Sequence, residues 1–415
     1  MSDFFDRCSK FYTDNNYARS LGYPANPRMA KALGIYPFFI PLENNEGNIV
    51  TIEGKQFIMI GSNNYLGLTN HPKVKEASIK AIEKYGSACT GSRFLNGTLD
   101  LHLELEERLA KFVGKECALV FSTGYQTNLG SITALLQKND VIILDKEVHA
   151  SIIDAVYLAR SSKHVIPRFY KHNNMSSLEE ILSSYELEVP KLLIVDGVFS
   201  MSGDIADLRG IISLCQEYNS KIMIDDAHSI GVLGKGYGTA HHFGCTDSVD
   251  LIMGTFSKSL ASIGGFIAGR KDVIHWIQHV ARSFIFSASL PPANLAAALA
   301  ALEIIEEEPE RINRVIQISD YVRDELENMG YDTGISKTPI IPVIIGDQFK
   351  SMQGWELLFR NGIFANVAIP PAVMPSRSLL RTSYISTHTD EQVEKVLSEF
   401  KKLKDKIARK KEIVA

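Results

Sequence analysis

The chain has 415 residues, 45% of them hydrophobic, and a formal net charge of -4. This size allows one large core and a second, smaller one, so we predict two domains behind a short leader. Charges of both signs are interspersed along the chain, which disfavours nucleic-acid binding. The five cysteines form no CxxC pair, which disfavours a disulfide framework or zinc site and favours a reducing cytoplasm. No signal peptide or membrane span is recognised.

The first predicted section, residues 1–59, is an N-terminal arm that ends in a small strand pair. Its sequence is "NIVTIEGKQFIMI", with Gly54-Lys55 expected as the turn. A large domain is predicted over 60–293, where short apolar runs alternate with amphipathic stretches. This alternation is typical of an α/β fold with a mostly parallel central sheet covered by helices. The runs are "ALVFSTG", "VIILDKEVH", "KLLIVDGVFS", "KIMIDDAHS", "DLIMGTFSK" and "GGFIAG".

A smaller α/β C-terminal domain is predicted over 294–415. It would begin with a long alanine-rich helix that is interrupted near Pro309. The segments "TPIIPVIIG" and "LLRTSYIS" would supply strands of a smaller sheet. The basic tail "FKKLKDKIARKKEIVA" is interpreted as a solvated last helix, with contact to a membrane surface as the alternative.

A candidate anion site lies in "FSTGYQTNLGSITALL", which runs from a strand through Ser122, Thr123 and Gly124 into a helix. The start of a helix presents unpaired N–H groups and a positive dipole end, which suit a phosphate. An ordinary capped helix start would give the same pattern.

Two other predicted strands end in groups that could serve an aromatic cofactor. Asp225 follows "KIMI" and could hold a pyridine nitrogen protonated, while Asp226 and His228 come next along the chain. A metal site or a structural capping pair would also explain these residues, although no second His/Glu cluster supports a metal. His149, after "DKEV", could stack on a flat ring or could be an ordinary core histidine.

Lys258 stands in "GTFSKSLASIGGF", between small hydroxyl residues and before paired glycines. Burial in such a turn would lower the pKa of its ammonium group and make an imine-forming amine. A solvated lysine in a surface loop is the alternative. The helix start, the strand-end Asp and His, and this lysine together are the parts that pyridoxal 5'-phosphate (PLP) requires.

At this point the sequence resembles the α-oxoamine synthases, PLP enzymes of the aspartate-aminotransferase fold, fold type I. The resemblance runs from "GSNNYLGL" at 61 to "LLRTSYISTHT" at 389. Between them lie further matching stretches, which are "GSACTGSRFLNGTLDLHLELEERLA", "HASIIDA", "DGVFSMSGDIADL", "DDAHSIGVLG", "GTFSKSLASIGGF" and "FSASLPP".

The resemblance implies a role for each matching residue, with Lys258, His149, Asp225 and His228 as the catalytic set and no metal. Lys258 would form the imine, Asp225 would pair with the pyridinium nitrogen, and His149 would stack on the ring. Arg381 would engage the amino-acid carboxylate, with Asn63 nearby. The remaining cofactor-binding residues would be Ser200 and His228 at the phenolic oxygen, backbone N–H groups of Gly124 and Tyr125 at the phosphate, and the hydroxyls of Thr255 and Ser257.

The resemblance also implies the substrates. "FSKSLASIGGF" is similar to the branch that condenses L-serine with a long-chain acyl-CoA, with loss of CO2, to 3-ketodihydrosphingosine in sphingolipid synthesis. The alternatives are sister enzymes that use alanine or glycine (8-amino-7-oxononanoate synthases, 2-amino-3-ketobutyrate CoA ligases), a non-catalytic partner subunit and a fold-type-I aminotransferase.

Assembly and location are likewise implied by the resemblance. A homodimer with shared active sites is expected, with "FSASLPP" serving the neighbouring chain. The enzyme is expected in the cytoplasm, with possible peripheral contact at the inner membrane. "IPPAVMPSRSLLR" corresponds to a mobile loop over the acyl chain.

Overall fold

A computed structural model describes residues 3–21, 23, 25–374 and 376–412, with the side chains of 407–412 excepted. The chain folds into two compact units. The first unit contains the chain up to Asn63, the segment Met201–Gly203 and the chain from Arg314 onward; the second contains Asn64–Ser200 and Asp204–Asn313. The predicted division at 59/60 and 293/294 stays a prediction.

The elements have the following bounds. The strands are β1 Asn44–Asn45, β2 Ile49–Ile52, β3 Lys55–Met59, β4 Cys117–Phe121, β5 Val141–Asp145, β6 Ile166–Tyr170, β7 Lys191–Asp196, β8 Lys221–Asp225, β9 Leu251–Thr255, β10 Gly265–Gly269, β11 Ile340–Gly346, β12 Ile363–Phe364, β13 Asn366–Ala368 and β14 Ser378–Ser383. The helices are α1 Asp6–Thr13, α2 Asn15–Ser20, α3 Pro27–Ala32, α4 Pro72–Tyr85, α5 Asp100–Phe112, α6 Gly124–Leu135, α7 Ala150–Lys163, α8 Met175–Leu182, α9 Leu208–Glu217, α10 Thr239–His242, α11 Lys271–Val280, α12 Arg282–Ile285, α13 Pro292–Glu307, α14 Glu310–Asn328, α15 Gln348–Arg360 and α16 Asp390–Glu412.

The second unit is built on a seven-stranded sheet with the order β4-β10-β9-β8-β7-β5-β6. Neighbours from β9 to β6 pair in parallel, while β10 is antiparallel to both β9 and β4. The predicted mostly parallel sheet is therefore confirmed. The sequence pattern missed β6, because this edge strand is only partly buried and its Arg168 is exposed.

Helices cover the central strands because the strands are apolar on both faces. Every residue of β5 and of β7 is buried. Against them α7 presents Ile152, Ala155, Val156 and Ala159, all fully buried at helical spacing. The ends of these strands carry polar residues of the site described below.

Strands β9 and β10 form a hairpin inside this sheet. Thr255 pairs with Gly265, and every residue of both strands is buried. The segment that joins them contains Lys258, so the tip of the hairpin carries the candidate imine lysine.

The first unit contains two small sheets. In one, β14 pairs antiparallel with β11 and with β13, which confirms the predicted strands "TPIIPVIIG" and "LLRTSYIS". The other has the order β1-β2-β3-β12. Its predicted turn was wrong by one residue: Ile52 pairs with Lys55, so Glu53 and Gly54 form the turn. Both have positive φ, 49° and 71°, as a two-residue type I′ hairpin requires.

The helical segment after residue 291 is interrupted as predicted. The helix α13 ends at Glu307 and α14 begins at Glu310, on either side of Pro309. The last helix, α16, is less solvated at its start than expected, because Val396, Phe400 and Leu403 are buried in the core of the first unit. The side chains from 407 to the end of the tail, and Pro375 in the predicted mobile loop, lie outside the described residues. Among the helices that are described, none combines the length and the apolarity needed to cross a bilayer.

Candidate active site

A cavity of about 280 Å³ opens at the carboxyl edge of the central sheet, within the second unit. Strands β7, β8 and β9 end at it with Asp196, Asp225 and Thr255. This is the edge at which open α/β sheets bind ligands. The other residues that line the cavity are Thr123, Gly124, Tyr125, Asn128, His149, Ser151, Val198, Ala227, His228, Met253, Ser257, Lys258, Ile263 and Gly264.

One end of the cavity is a set of hydrogen-bond donors. The side chain of Thr123 caps α6 by accepting the N–H of Gln126 at 3.1 Å. The N–H groups of Gly124 and Tyr125 belong to the first turn of α6, which has no intrahelical acceptor. The hydroxyls of Thr255 and Ser257 lie 3.0 Å apart at the same cavity. These donors fit a dianionic phosphate at the positive end of the helix dipole.

Gly124 is required at this point by close packing. A Cβ atom there would lie 2.8 Å from the Oγ1 of Thr255, so any larger residue would push the hydroxyl out of the cradle. The hydroxyl of Thr255 donates to the carbonyl of Gly264 at 3.0 Å, so its single O–H proton would have to turn from that carbonyl to reach a phosphate.

Lys258 lines the cavity and is partly buried. Its backbone is held by a compact turn in which Ala261 donates its N–H to the Lys258 carbonyl at 3.0 Å. Phe256 and Leu260, on either side, are fully buried and anchor the turn. The alternative of a solvated surface lysine does not describe this position.

Asp225 ends β8 and is 4% exposed. Its Oδ1 accepts the N–H of Ala227 at 3.0 Å, and its Oδ2 accepts an N–H of Asn128 at 2.7 Å. Both of these hydrogen-bond donors are neutral groups.

Two histidines with different partners border the cavity. His149 caps α7, with its Nδ1 accepting the N–H of Ser151 at 3.2 Å. The Nδ1 of His228 lies 2.7 Å from the hydroxyl of Tyr65. Sequence reasoning gave no role to Tyr65, although it stands in the quoted motif "GSNNYLGL".

Asp196 is a third polar residue that sequence reasoning did not single out. It is the register partner of Asp225 on the adjacent parallel strand. Its Oδ1 accepts the N–H of His149 at 3.3 Å. Burial and the neighbouring Asp225 raise the pKa of Asp196 well above its usual range. Its place at the end of an apolar run was the signal that could have found it.

Three of the predicted site residues are not among those that line the cavity. Ser200 is partly buried and absent from the lining set. Arg381 and Asn63 both belong to the first unit, where a guanidinium N–H of Arg381 donates to Asn63 Oδ1 at 2.9 Å. Arg381 is 5% exposed and also donates to the hydroxyl of Ser383 at 3.3 Å. The structure thus brings this predicted pair together, and its role in binding a carboxylate stays a prediction.

The cavity fits a flat, phosphorylated pyridine aldehyde. Donors at the start of α6 suit the phosphate, the carboxylate of Asp225 suits a protonated ring nitrogen, and Lys258 offers an amine. Within the part of the chain that the structure describes, no cluster of three or more His, Cys, Asp or Glu residues could hold a metal.

Comparison with known proteins agrees with this geometry. The family model of class I and II aminotransferases matches residues 55–400, so the chain belongs to that family. A solved structure described as serine palmitoyltransferase with the PLP internal aldimine superposes with a TM-score of 0.90 at 33% identity, covering 98% of this chain and 100% of the other.

Within the family the chain is an α-oxoamine synthase. A serine palmitoyltransferase of Bacteroides thetaiotaomicron is 50% identical over 382 residues, which are 91% of this chain and 96% of that protein. An 8-amino-7-oxononanoate synthase of Thermoanaerobacter pseudethanolicus is more distant, at 40% over 375 residues, 90% of this chain and 94% of that protein. The predicted fold, PLP as cofactor and the acyltransferase class are confirmed.

Proposed function

We propose that this chain is a serine palmitoyltransferase, which condenses L-serine with a long-chain acyl-CoA such as palmitoyl-CoA. The products are 3-ketodihydrosphingosine, CoA and CO2. The observation that carries the proposal is the cavity that brings Lys258, Asp225 and His149 together beside the donors of α6. The identity to serine palmitoyltransferases, about 50% against 40% for the 8-amino-7-oxononanoate synthase, favours serine as the amino acid.

In this mechanism the chain's own residues bind, orient and move protons. When bound, PLP supplies an electron sink for the electron pair left at Cα. Asp225 would keep the ring nitrogen protonated, and the donors at Gly124, Tyr125 and Thr255 would hold the phosphate.

Lys258 would hold the cofactor through its Nζ. Its amine would also take up the proton from Cα, as a general base. Arg381, with Asn63, would grip the serine carboxylate through its planar donor fork. His149 would stack on the ring, and His228 and Ser200 would act at the phenolic oxygen.

Assembly and location form a separate part of the proposal. We propose a cytoplasmic homodimer in which "FSASLPP" serves the neighbouring chain, with peripheral membrane contact as a further property. Light scattering of the purified protein tests whether it is a dimer. Sedimentation with vesicles of stated anionic lipid content tests the membrane contact.

The decisive experiment is an absorbance titration of the purified PLP-bound protein with L-serine, L-alanine and glycine in parallel. Palmitoyl-CoA is then added and released CoA is measured. A perturbed imine band and CoA release with serine alone are the expected results. CoA release with alanine or glycine instead would move the chain to a sister activity, and release of a keto acid without CoA would indicate an aminotransferase.

A further inference from the structure

A continuous chain of hydrogen bonds joins His149 to Asp225 along the wall of the cavity. His149 Nδ1 lies 2.8 Å from the Oγ of Ser151. Asn128 Nδ2 lies 2.9 Å from that same Oγ and 2.7 Å from Asp225 Oδ2. Asn128 and Ser151 are each 1% exposed, so water does not compete for these bonds.

The direction of each bond in the chain is determined by chemistry. The amide group of Asn128 can only donate through its nitrogen, and its two N–H bonds point at Ser151 Oγ and at the Asp225 carboxylate. The reversed amide would place Asn128 Oδ1 against the carboxylate at 2.7 Å, which is repulsive in a buried site.

The direction of these hydrogen bonds determines which nitrogen of His149 is protonated. The Oγ of Ser151 accepts from Asn128, and its one O–H is available to donate to His149 Nδ1. The backbone N–H of Ser151 donates to the same nitrogen at 3.2 Å. Two donors therefore face Nδ1, so this nitrogen carries no proton and the neutral ring must be protonated at Nε2.

We propose that Asn128 and Ser151 are positioning residues that fix the tautomer of His149 and the orientation of the Asp225 carboxylate as one unit. The ring stacker and the pyridinium partner would then be set by a single network, with the Nε2–H of His149 left to donate within the cavity. The inference rests on the proposed cofactor site and is independent of which amino acid is the substrate.

The unpartnered oxygen of Asn128 supports a positioning role. Asn128 Oδ1 is buried and has no hydrogen-bond partner. An amide that served only to fill space would be improved by an apolar residue, because a buried unsatisfied acceptor is destabilising. Keeping the amide is worthwhile only for its two N–H donors.

The first test observes the tautomer directly. Nitrogen-15 NMR of the histidine-labelled protein without cofactor is expected to show one ring with an unprotonated Nδ1 and a protonated Nε2, assigned through the loss of its signals in His149→Gln. In Ser151→Ala the Nδ1 resonance should shift. A proton on Nδ1 of His149 in the wild type would overturn the inference whatever the substrate proves to be.

The second test measures the effect on the cofactor. Asn128→Ala, Asn128→Asp and Ser151→Ala are compared with Ser131→Ala, a matched control on α6 whose fully buried hydroxyl has no partner. We expect PLP affinity to fall roughly 10- to 100-fold in Asn128→Ala, and further in Asn128→Asp, which sets two carboxylates face to face. Visible circular dichroism should change with it, since the dichroism reports the orientation of the bound ring.

The outcomes separate the two proposals. Unchanged PLP affinity and unchanged dichroism in Asn128→Ala would overturn the positioning role. If the wild type binds PLP and shows this network but releases no CoA with serine, only the proposed substrate fails. Far-ultraviolet dichroism identifies a variant that fails to fold, in which case Ser151→Ala decides the question.

Discussion

Two buried aspartates lie at the ends of strands along the same edge of the sheet. They differ in the charge of their hydrogen-bond partners. Asp145 ends β5 and is fully buried, and Asp225 ends β8 and is 4% exposed. Asp145 faces His172, whose Nδ1 is 2.9 Å from Asp145 Oδ1 and whose Nε2 is 2.8 Å from Asp204 Oδ2. Asp225 accepts from the neutral amide of Asn128 and from a backbone N–H.

The difference in partners distinguishes Asp145, a structural carboxylate, from Asp225, the carboxylate proposed to act on the cofactor. Burial by itself would lower the pKa of His172. The hydrogen bonds to Asp145 and Asp204 outweigh it and raise the pKa of His172 to about 10. Asp145 therefore faces a protonated imidazole near neutral pH. The two hydrogen-bond donors of Asp225 are both neutral, an arrangement that suits a carboxylate meant to pair with a positively charged group in the cavity.

The largest expected effect comes from removing the amine of Lys258. Lys258→Ala should abolish the imine absorbance and lower turnover at least about 1,000-fold, because both the covalent anchor and the base are lost. Lys235→Ala, at an exposed lysine outside the cavity lining, is the control. Normal turnover in the Lys258 variant would refute its assignment.

Removing the charge of Asp225 is the next test. In Asp225→Asn the ring nitrogen loses its anionic partner, whose presence is worth roughly 1–3 pKa units. Turnover should fall about 100-fold while part of the PLP remains bound. The measurement is steady-state kinetics together with cofactor content, and Asp145→Asn should leave the absorbance spectrum unchanged if the two aspartates differ as described.

Replacing His172 tests the structural role of the buried Asp145. His172→Gln should lower the free energy of unfolding by about 3 kcal/mol near neutral pH, because two buried carboxylates lose their shared cation. A raised histidine pKa adds stability that is complete below the unfolded value of 6.5 and is lost as pH approaches 10. Urea unfolding should therefore show a smaller difference from wild type at pH 10 than at pH 7.

A matched variant keeps that prediction specific. His275→Gln removes an exposed histidine on α11 and should leave the unfolding curve within about 0.5 kcal/mol of wild type. If His172→Gln lost as much stability at pH 10 as at pH 7, the protonated imidazole would not be the source of the effect.

The smallest expected effect concerns Asp226, a carboxyl beside Asp225 with no cation facing it. Burial raises the pKa of Asp226 to about 6, although Thr239 and Ser229 donate to it. The folded state thus binds a proton that the unfolded state releases above 3.8, so stability falls as pH rises from about 4 to 6. Asp226→Asn should be relatively more stable at pH 7 than at pH 4, by about 2 kcal/mol.

The control for that pH dependence is Asp324→Asn, at an exposed position on α14. It should follow the wild type at both pH values. Equal stability differences at pH 4 and pH 7 for Asp226→Asn would contradict the raised pKa.

The sequence predicted those parts of the fold that are recorded in local patterns. Apolar runs such as "VIIL" identified the central strands, and Pro309 marked the break between α13 and α14. It failed at β6, whose half-buried edge position leaves a weak pattern, and at the turn of β2 and β3 by one residue, because register depends on pairing between strands.

The site was predictable to a similar depth. Sequence reasoning singled out Lys258, Asp225 and His149 because each ends or follows an apolar run; all three line the cavity, and their roles stay predictions. Asn128 and Ser151 could not be found in this way, since neither ends a strand. Their contacts join residues 23 and 97 positions apart, and only the packing of α6 against α7 and β8 brings them together.

The β9–β10 hairpin has a consequence for redesign. The position of residue 258 is set by its fully buried neighbours Phe256 and Leu260 and by the pairing of Thr255 with Gly265, and the lysine side chain has no part in either. Position 258 is therefore an attachment point whose chemistry can be exchanged while the scaffold stays intact. A cysteine or a non-natural amine introduced there would occupy the same position in the cavity. One substitution could therefore give the site a new reactive group.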